Sequence, residues 1–280
     1  MSNMVVNTNV LALNAHRNLS SIGVAQAKAS QRLSSGLKIN SAADDAAGLA
    51  ISEKMRAQIR GLDMAAKNAQ DGISLLQTAE GSIQEINNMV QRIRELTVQA
   101  ANDTNTTEDR AKIADEISQL TTEITDMAGR TEFNTKKLTT GLFASSSISL
   151  QVGANAGQQI SFNIGEMTAT ALGIDGISAS IKSSTTASDI SDLTDTIDTA
   201  LKTVADQRAA LGAVQNRVEY TINNLKTSSE NLAASESRIR DTDMAKEMMN
   251  LTKANVLQQA ATSMLAQANQ APQSILKLLG

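Results

Sequence analysis

Apolar residues return every three or four positions along most of the chain. In the N-terminal segment Ala12, Ala15, Leu19, Ile22, Ala29 and Leu33 keep helical spacing, which predicts an amphipathic helix whose stripe is made largely of small residues. Ser34-Ser35-Gly36 reads as a helix stop. The stretch LKINSAADDAAG, 37–48, then reads as a connector, with a second helical pattern starting near Ala46. From Leu62 to Ala100 the period is strong, through Leu62, Ala66, Ala69, Ile73, Leu76, Ala79, Ile83, Ile86, Val90 and Ile93. Residues 102–107 break it, and Thr107 followed by Glu108 and Asp109 predicts an N-cap and an acidic first turn. Ile113, Ile117, Leu120, Ile124 and Met127 follow in the 4,3,4,3 spacing of a coiled-coil seam, which Gly129 is expected to close.

Between about 140 and 180 the period falls to two. Ile148, Leu150 and Val152 alternate with polar residues, as do Ile160, Phe162 and Ile164, and the turn GANAG (153–157) separates them. This predicts a β-hairpin, the one stretch of β-structure expected in the chain. The longest stripe comes next: Ile190, Leu193, Ile197, Ala200, Val204, Leu211, Val218, Ile222, Leu225, Leu232 and Ile239 share one 3/4 frame. A helix of about 50 residues would be about 75 Å long at about 1.5 Å per residue. A last segment, Met244 to Leu279, carries Met249, Val256, Ala260, Met264, Ala271, Ile275 and Leu278, and its final turn adds Leu276 and Leu279. Helices this long need a partner over the stripe. The economical arrangement packs the two terminal segments together and both long middle helices against helix 107–128. The expected fold is therefore mainly α: an elongated rod of long helices in coiled-coil-like packing, with a small β-hairpin region.

Composition agrees with helical packing and removes most chemistry. The 280 residues include three Phe, one Tyr and no Trp, so Ala, Leu, Ile, Val and Met must fill the interior that aromatics usually help to fill. Met127 and Met249 are expected as core filler. A single proline permits long uninterrupted helices. Cysteine is absent, which excludes disulfides and thiolate metal sites, and no run of 18 apolar residues occurs, so no membrane insertion is expected. Residues 1–43 carry +4 and residues 246–280 carry +2, so with a net charge of −4 the stretch between them holds −10. Ends and middle are thus expected in different environments, and no nucleic-acid partner is expected. The basic, acid-free N-terminus has some transit-peptide character, set aside because the same kind of stripe returns at the other end. A secretory signal is not expected, because Met1 to Val10 lacks a charged region with an apolar block after it.

Catalysis is not expected. His16 stands without Cys or a second His nearby. Asp44-Asp45 and the pair Asp241 and Asp243 lack the ligand spacing and glycine of a calcium loop. They read better as helix caps and connector contacts. GxGxxG, GxxxxGK[ST], HExxH and GxSxG are missing. No cofactor is expected.

Long stretches resemble bacterial flagellin, the filament subunit of the flagellum. The similarity is carried by VNTNVLALNA (6–15), QRLSSGLKINSAADDAAGLAIS (31–52) and NAQDGISLLQTAEGSIQEINNMVQRIRELTVQAAN (68–102). Towards the other end SENLAASESRIRDTDMAKE (229–247) and VLQQAATSMLAQANQAPQSILKLLG (256–280) continue it. The chain is similar to a short form, in which only the hairpin region stands where many flagellins insert large outer domains. The resemblance implies a structural subunit that polymerises into the extracellular flagellar filament for motility. It also implies domains: 1–43, the N-terminal part of an inner coiled-coil domain plus connector; 44–139, the N-terminal helical part of a rod domain; 140–180, the hairpin region; 181–240, the long C-terminal helix of the rod domain; and 241–280, the C-terminal part of the inner coiled coil. The terminal helices would pair as a coiled coil on assembly.

Partners implied by the resemblance are other copies of the chain, the flagellin export chaperone, the flagellar type III export apparatus, and the hook-associated junction and cap proteins. Secretion would proceed without a cleavable signal peptide. Leu19, Ile22, Leu33, Met249, Val256, Met264, Ile275, Leu276, Leu278 and Leu279 would form the terminal assembly and chaperone stripe. QRIREL (91–96) matches the segment through which flagellins bind a vertebrate cell-surface innate immune receptor, so Gln91, Arg92, Leu96 and, on the neighbouring helix, Glu116 would form a receptor or lateral-contact patch. Counting about 100° per residue from Ile83, Arg92 and Leu96 both point away from the apolar face. Two other readings stay open from residues alone: a hook–filament junction protein, and a generic helical scaffold.

Overall fold

The computed structural model describes the chain over residues 8–183 and 186–279; the side chains of 183 and 271–279 lie outside the described set. Among the described residues the order is α1 (Val10–Ser35), α2 (Ala46–Ala100), α3 (Thr107–Arg130), β1 (Glu132–Phe133), β2 (Lys136–Lys137), α4 (Leu142–Ser145), β3 (Ile148–Gln151), β4 (Gln159–Phe162), α5 (Ile177–Ser183), α6 (Ala187–Arg240) and α7 (Met244–Leu279). The fold is mainly α, with long helices and a small hairpin. Packing divides the chain into two compact units, one of residues 1–57 and 231–280, the other of residues 58–230. The divisions fall inside α2 and α6.

In the unit of residues 58–230, three helices share one core. Ile83, Ile86, Val90 and Ile93 of α2 pack with Ile113, Ile117 and Ile124 of α3 and with Ile190, Ile197, Val204 and Leu211 of α6. The segment from Phe162 to Ile181, with Ile164, Met167 and Ile174 fully buried, closes this core. Strands β3 and β4 pair antiparallel with Ile148 opposite Phe162 and Leu150 opposite Ile160. Alternation sends Val152 and Ile160 inward onto Ala69, Ile73, Val218 and Ile222. Gly72 makes that seating possible, because a Cβ there would lie 2.3 Å from Leu150 Cδ1.

Several local details differ from the sequence pattern. The N-cap of α3 is Thr106, one residue before the expected Thr107. Its Oγ1 accepts from Asp109 N–H at 3.3 Å and the Asp109 carboxylate accepts from Thr106 N–H at 3.0 Å, a reciprocal capping box. Gly129 does not close α3; the helix runs on to Arg130 and ends at Thr131, whose N–H reaches Met127 O. A second ladder, β1 with β2, follows at once, turning at Asn134 (φ 49°) and Thr135 (φ 65°). Two positive φ values in a two-residue turn are the type I′ geometry that suits a hairpin. With only two residues per strand and Thr where glycine is usual, this ladder leaves no alternating pattern to read.

Candidate functional site

In the unit of residues 1–57 and 231–280, α1 and α7 pack along their lengths. They run antiparallel: Asn9 Nδ2 donates to Ala268 O at 2.7 Å, Gln26 Nε2 donates to Asn255 Oδ1 at 2.7 Å, and Arg32 faces Glu247 at 3.7 Å. Asn9 also starts α1, its Oδ1 accepting from Ala12 N–H at 3.0 Å. On α1 the expected stripe faces its partner, with Ala29 buried and Ala12, Ala15, Leu19, Ile22 and Leu33 half-buried.

On α7 the expectation fails. Met249, Val256 and Met264 are 66%, 60% and 56% exposed. The covered positions are Glu247, Leu251, Ala254, Gln258, Ala261, Leu265 and Ala268. These also step by three and four, and Met249 and Val256 lie on roughly the opposite side, so the helix carries two interleaved apolar faces there, with Met264 at the flank of the inner one. Ala254, Ala261 and Ala268 recur on the inner one and let the two backbones approach, so a reading that follows the bulk of Met249 and Val256 picks the wrong face. Val10, Leu11, Leu13 and Val24 of α1 are likewise exposed. Ile275, Leu276, Leu278 and Leu279 lie in α7, but their side chains fall outside the described residues.

The connector between α1 and α2 is held from both sides. Gly36 caps α1 in the left-handed region at φ 71°, where glycine is unstrained, and its carbonyl accepts from Thr242 N–H at 3.0 Å. Lys38 N–H donates to Arg240 O at 2.6 Å. The Asp44 carboxylate accepts from Asn40 N–H and Ser41 N–H, both at 3.2 Å, and pairs with Lys28 at 2.7 Å. Its pKa is lowered to about 2, chiefly by the Lys28 hydrogen bond and then by the Asn40 amide. Asp45 accepts from Gly48 N–H and Asp243 from Lys246 N–H, at 3.0 and 3.1 Å. Asp44, Asp45 and Asp243 are thus connector and cap residues. Ion pairs of Arg240 with Glu53 and Arg56 with Glu236 complete this end. The sequence gives no sign of those pairs, because charged partners almost two hundred positions apart carry no periodic signature.

In the unit of residues 58–230, α2 and α3 bring Arg92 and Glu116 together. Arg92 Nη2 and Nε donate to Glu116 Oε1 at 3.0 and 3.2 Å, and Nη1 donates to Glu95 Oε2 at 3.1 Å. Arg92 and Glu116 are about half exposed, and Gln91 is exposed. These carboxylates raise the Arg92 pKa above its ordinary value, first through the Glu95 hydrogen bond and then through the hydrogen bond and charge of Glu116. Leu96 does not join them. It is 2% exposed and belongs to the core that Ile93 and Ile117 share. The buried positions of α2 repeat every seven residues, and on a 3.6-residue helix such a stripe slides by about 20° per heptad. By this point it has moved towards Leu96, which lies roughly 60° from its local centre, while Arg92 stays outside. Arg110 is a further residue that spacing does not announce: buried on α3, it donates from Nε to Ala100 O at 3.1 Å and so caps the end of α2.

Among the described residues no group of three or more His, Asp or Glu is placed to hold a metal ion, and no helix is long and apolar enough to cross a membrane. Residues 6–144 match the bacterial flagellin N-terminal helical region, and residues 194–279 match the bacterial flagellin C-terminal helical region. The chain belongs to the bacterial flagellin family. It is 52% identical to flagellin of Halalkalibacterium halodurans, over 99% of this chain and 100% of that one. It is 53% identical to flagellin of Bacillus subtilis, with the same two coverages. A flagellar filament 33 kDa core protein of Treponema phagedenis is 48% identical, again over 99% and 100%. A Vibrio parahaemolyticus structure described as flagellar hook-associated overlaps 71% of this chain and 100% of its own with a TM-score of 0.60. At 14% identity that likeness is one of fold alone. As a flagellin, the chain is a structural subunit of the extracellular bacterial flagellar filament, not an enzyme. Full-length identity to flagellins also separates it from the junction-protein and scaffold readings.

Proposed function

We propose that this flagellin polymerises through the outward faces of α1 and α7. The observation that carries the reading is the row of large apolar side chains left uncovered on α7, Met249 and Val256 above all, after α1 has taken the opposite face. On α1, Leu11, Leu13 and Val24 supply a second uncovered set. Two different apolar faces on one helix pair favour a heterologous contact, and a heterologous contact that does not close generates an open helix. A carboxylate buried without a partner at such a contact costs several kcal/mol. Val256→Asp is therefore expected to keep its helical content by circular dichroism and to fail to elongate filament seeds under electron microscopy. Normal elongation would place the contact elsewhere. The side chains of Ile275, Leu276, Leu278 and Leu279 belong to this reading through the resemblance alone.

The finer partners follow from the resemblance. The outward α7 face is offered to the export chaperone before assembly, the type III apparatus exports the chain without a cleavable signal peptide, and junction and cap proteins meet the filament ends. Gln91, Arg92 and Glu116 form the patch for the vertebrate receptor, an exposed guanidinium between carboxylates being suited to a polar partner. Arg92→Ala should weaken receptor binding of the monomer by about 2 kcal/mol or more, read by calorimetry. Unchanged affinity would remove the patch.

A further inference from the structure

Thioethers are concentrated where the assembly face lies. Among the described residues the exposed methionines are Met64 at 54%, Met244 at 48%, Met248 at 52%, Met249 at 66% and Met264 at 56%. Four of these five stand on α7. Met167, by contrast, is 2% exposed, and Met55, Met89 and Met127 are half-buried. Met248 and Met249 line a shallow groove with Thr252, Lys253, Val256 and Leu257. The chain has no cysteine, so no thiol of its own competes for an oxidant, and methionine sulfur is its most readily oxidised group.

We propose that Met248, Met249 and Met264 form an oxidation site, reactive towards peroxides, whose conversion to sulfoxide withdraws the subunit from assembly. The proposal rests on the reading that the outward α7 face is an assembly contact. The step is a two-electron oxygen transfer. A sulfur lone pair attacks one peroxide oxygen, the O–O bond breaks as the S–O bond forms, and the departing hydroxide takes the proton from the oxygen now on sulfur and leaves as water. Sulfur is oxidised and peroxide reduced. At Met248 and Met249 the product is a strongly polar acceptor in a groove whose other walls are Thr252, Lys253, Val256 and Leu257, and at Met264 it stands on exposed surface further along the helix. Covered by a neighbouring subunit, its oxygen must give up its water, which opposes association. Sulfoxide reductases with a thiol reductant reverse the step, so the withdrawal is temporary.

The test uses the full chain as monomer, with hydrogen peroxide as the probe and peptide mass mapping as the readout of conversion. Met64 and Met249 should oxidise readily and Met167 should be spared. Seeded elongation should slow by about tenfold or more once Met248, Met249 and Met264 are sulfoxides. Reduction by both methionine sulfoxide reductases should restore it. The M248L/M249L/M264L variant, compared with itself before and after peroxide, should show an elongation ratio near one while Met64 and Met244 are still oxidised. Undiminished elongation of fully converted wild-type protein overturns the proposal, and so does an equal peroxide loss in the leucine variant. Should that variant not elongate at all, failure of the reductases to restore the wild-type protein overturns it. Normal elongation of unoxidised Val256→Asp points instead to failure of the assembly reading beneath it.

Discussion

Leu96 and Arg92 sit four positions apart on α2, yet one is core and the other surface. Replacing Leu96 by Ala is expected to destabilise the protein by about 2–4 kcal/mol, as truncations of a buried leucine do, measured by urea denaturation. Arg92→Ala should change stability by about 1 kcal/mol or less, because its ion pairs with Glu95 and Glu116 are exposed. The spacing placed Arg92 correctly and Leu96 wrongly for one reason: a single angular frame drawn from Ile83 ignores the slide of a seven-residue repeat around a helix. Asp44 adds a pH effect. Its folded pKa is depressed to about 2 from an ordinary 3.8, so its contribution is present above about pH 4 and is lost as pH falls through about 2. Lys28→Met removes the largest cause and should move the Asp44 titration back towards the ordinary carboxylate range, seen by NMR of its carboxyl carbon. An unmoved titration would assign the depression to the backbone amides of Asn40 and Ser41 alone.

Helices and hairpin show how much periodicity alone can deliver. The start of α2 at Ala46, the stop of α1 at Gly36, the hairpin that carries Leu150 and Ile160 and the single frame of α6 all follow from spacing and turn chemistry. The ends of α3 do not, because Thr106 and Thr107 are both capping types and only backbone geometry decides between them. Thr106→Ala should cost about 1 kcal/mol, while Thr107→Ala should cost much less, both measured by denaturation. The covered face of α7 was equally hard to choose, since Met249 and Ala254 belong to two stripes of the same period and bulk is no guide to which one α1 selects. A residue such as Gly72 carries its meaning only in three dimensions. Gly72→Val is expected to lift the hairpin from α2 and destabilise by about 1–3 kcal/mol or more.

For the protein as a subunit, family membership and a row of uncovered apolar side chains make the same statement from different directions. A monomer in water gains nothing from exposing Met249 and Val256, whereas a polymer built through that face, as proposed, would bury them on every copy. Single polar substitutions on that face are therefore expected to alter the critical concentration for assembly far more than the melting temperature of the monomer. Light scattering and calorimetry on the same preparation separate the two, and a melting temperature that falls in step with assembly would show the face to be internal packing instead.

The stapling of Asn9 to Ala268 and of Gln26 to Asn255 joins positions more than two hundred residues apart. Such contacts form late, because the intervening chain must close a long loop before they exist. During synthesis, or in any passage that delivers the N-terminal side first, α1 waits without a partner until α7 arrives. A chain interrupted before α7 therefore leaves α1 unclasped, with the stripe of Ala12, Ala15, Leu19 and Ile22 uncovered.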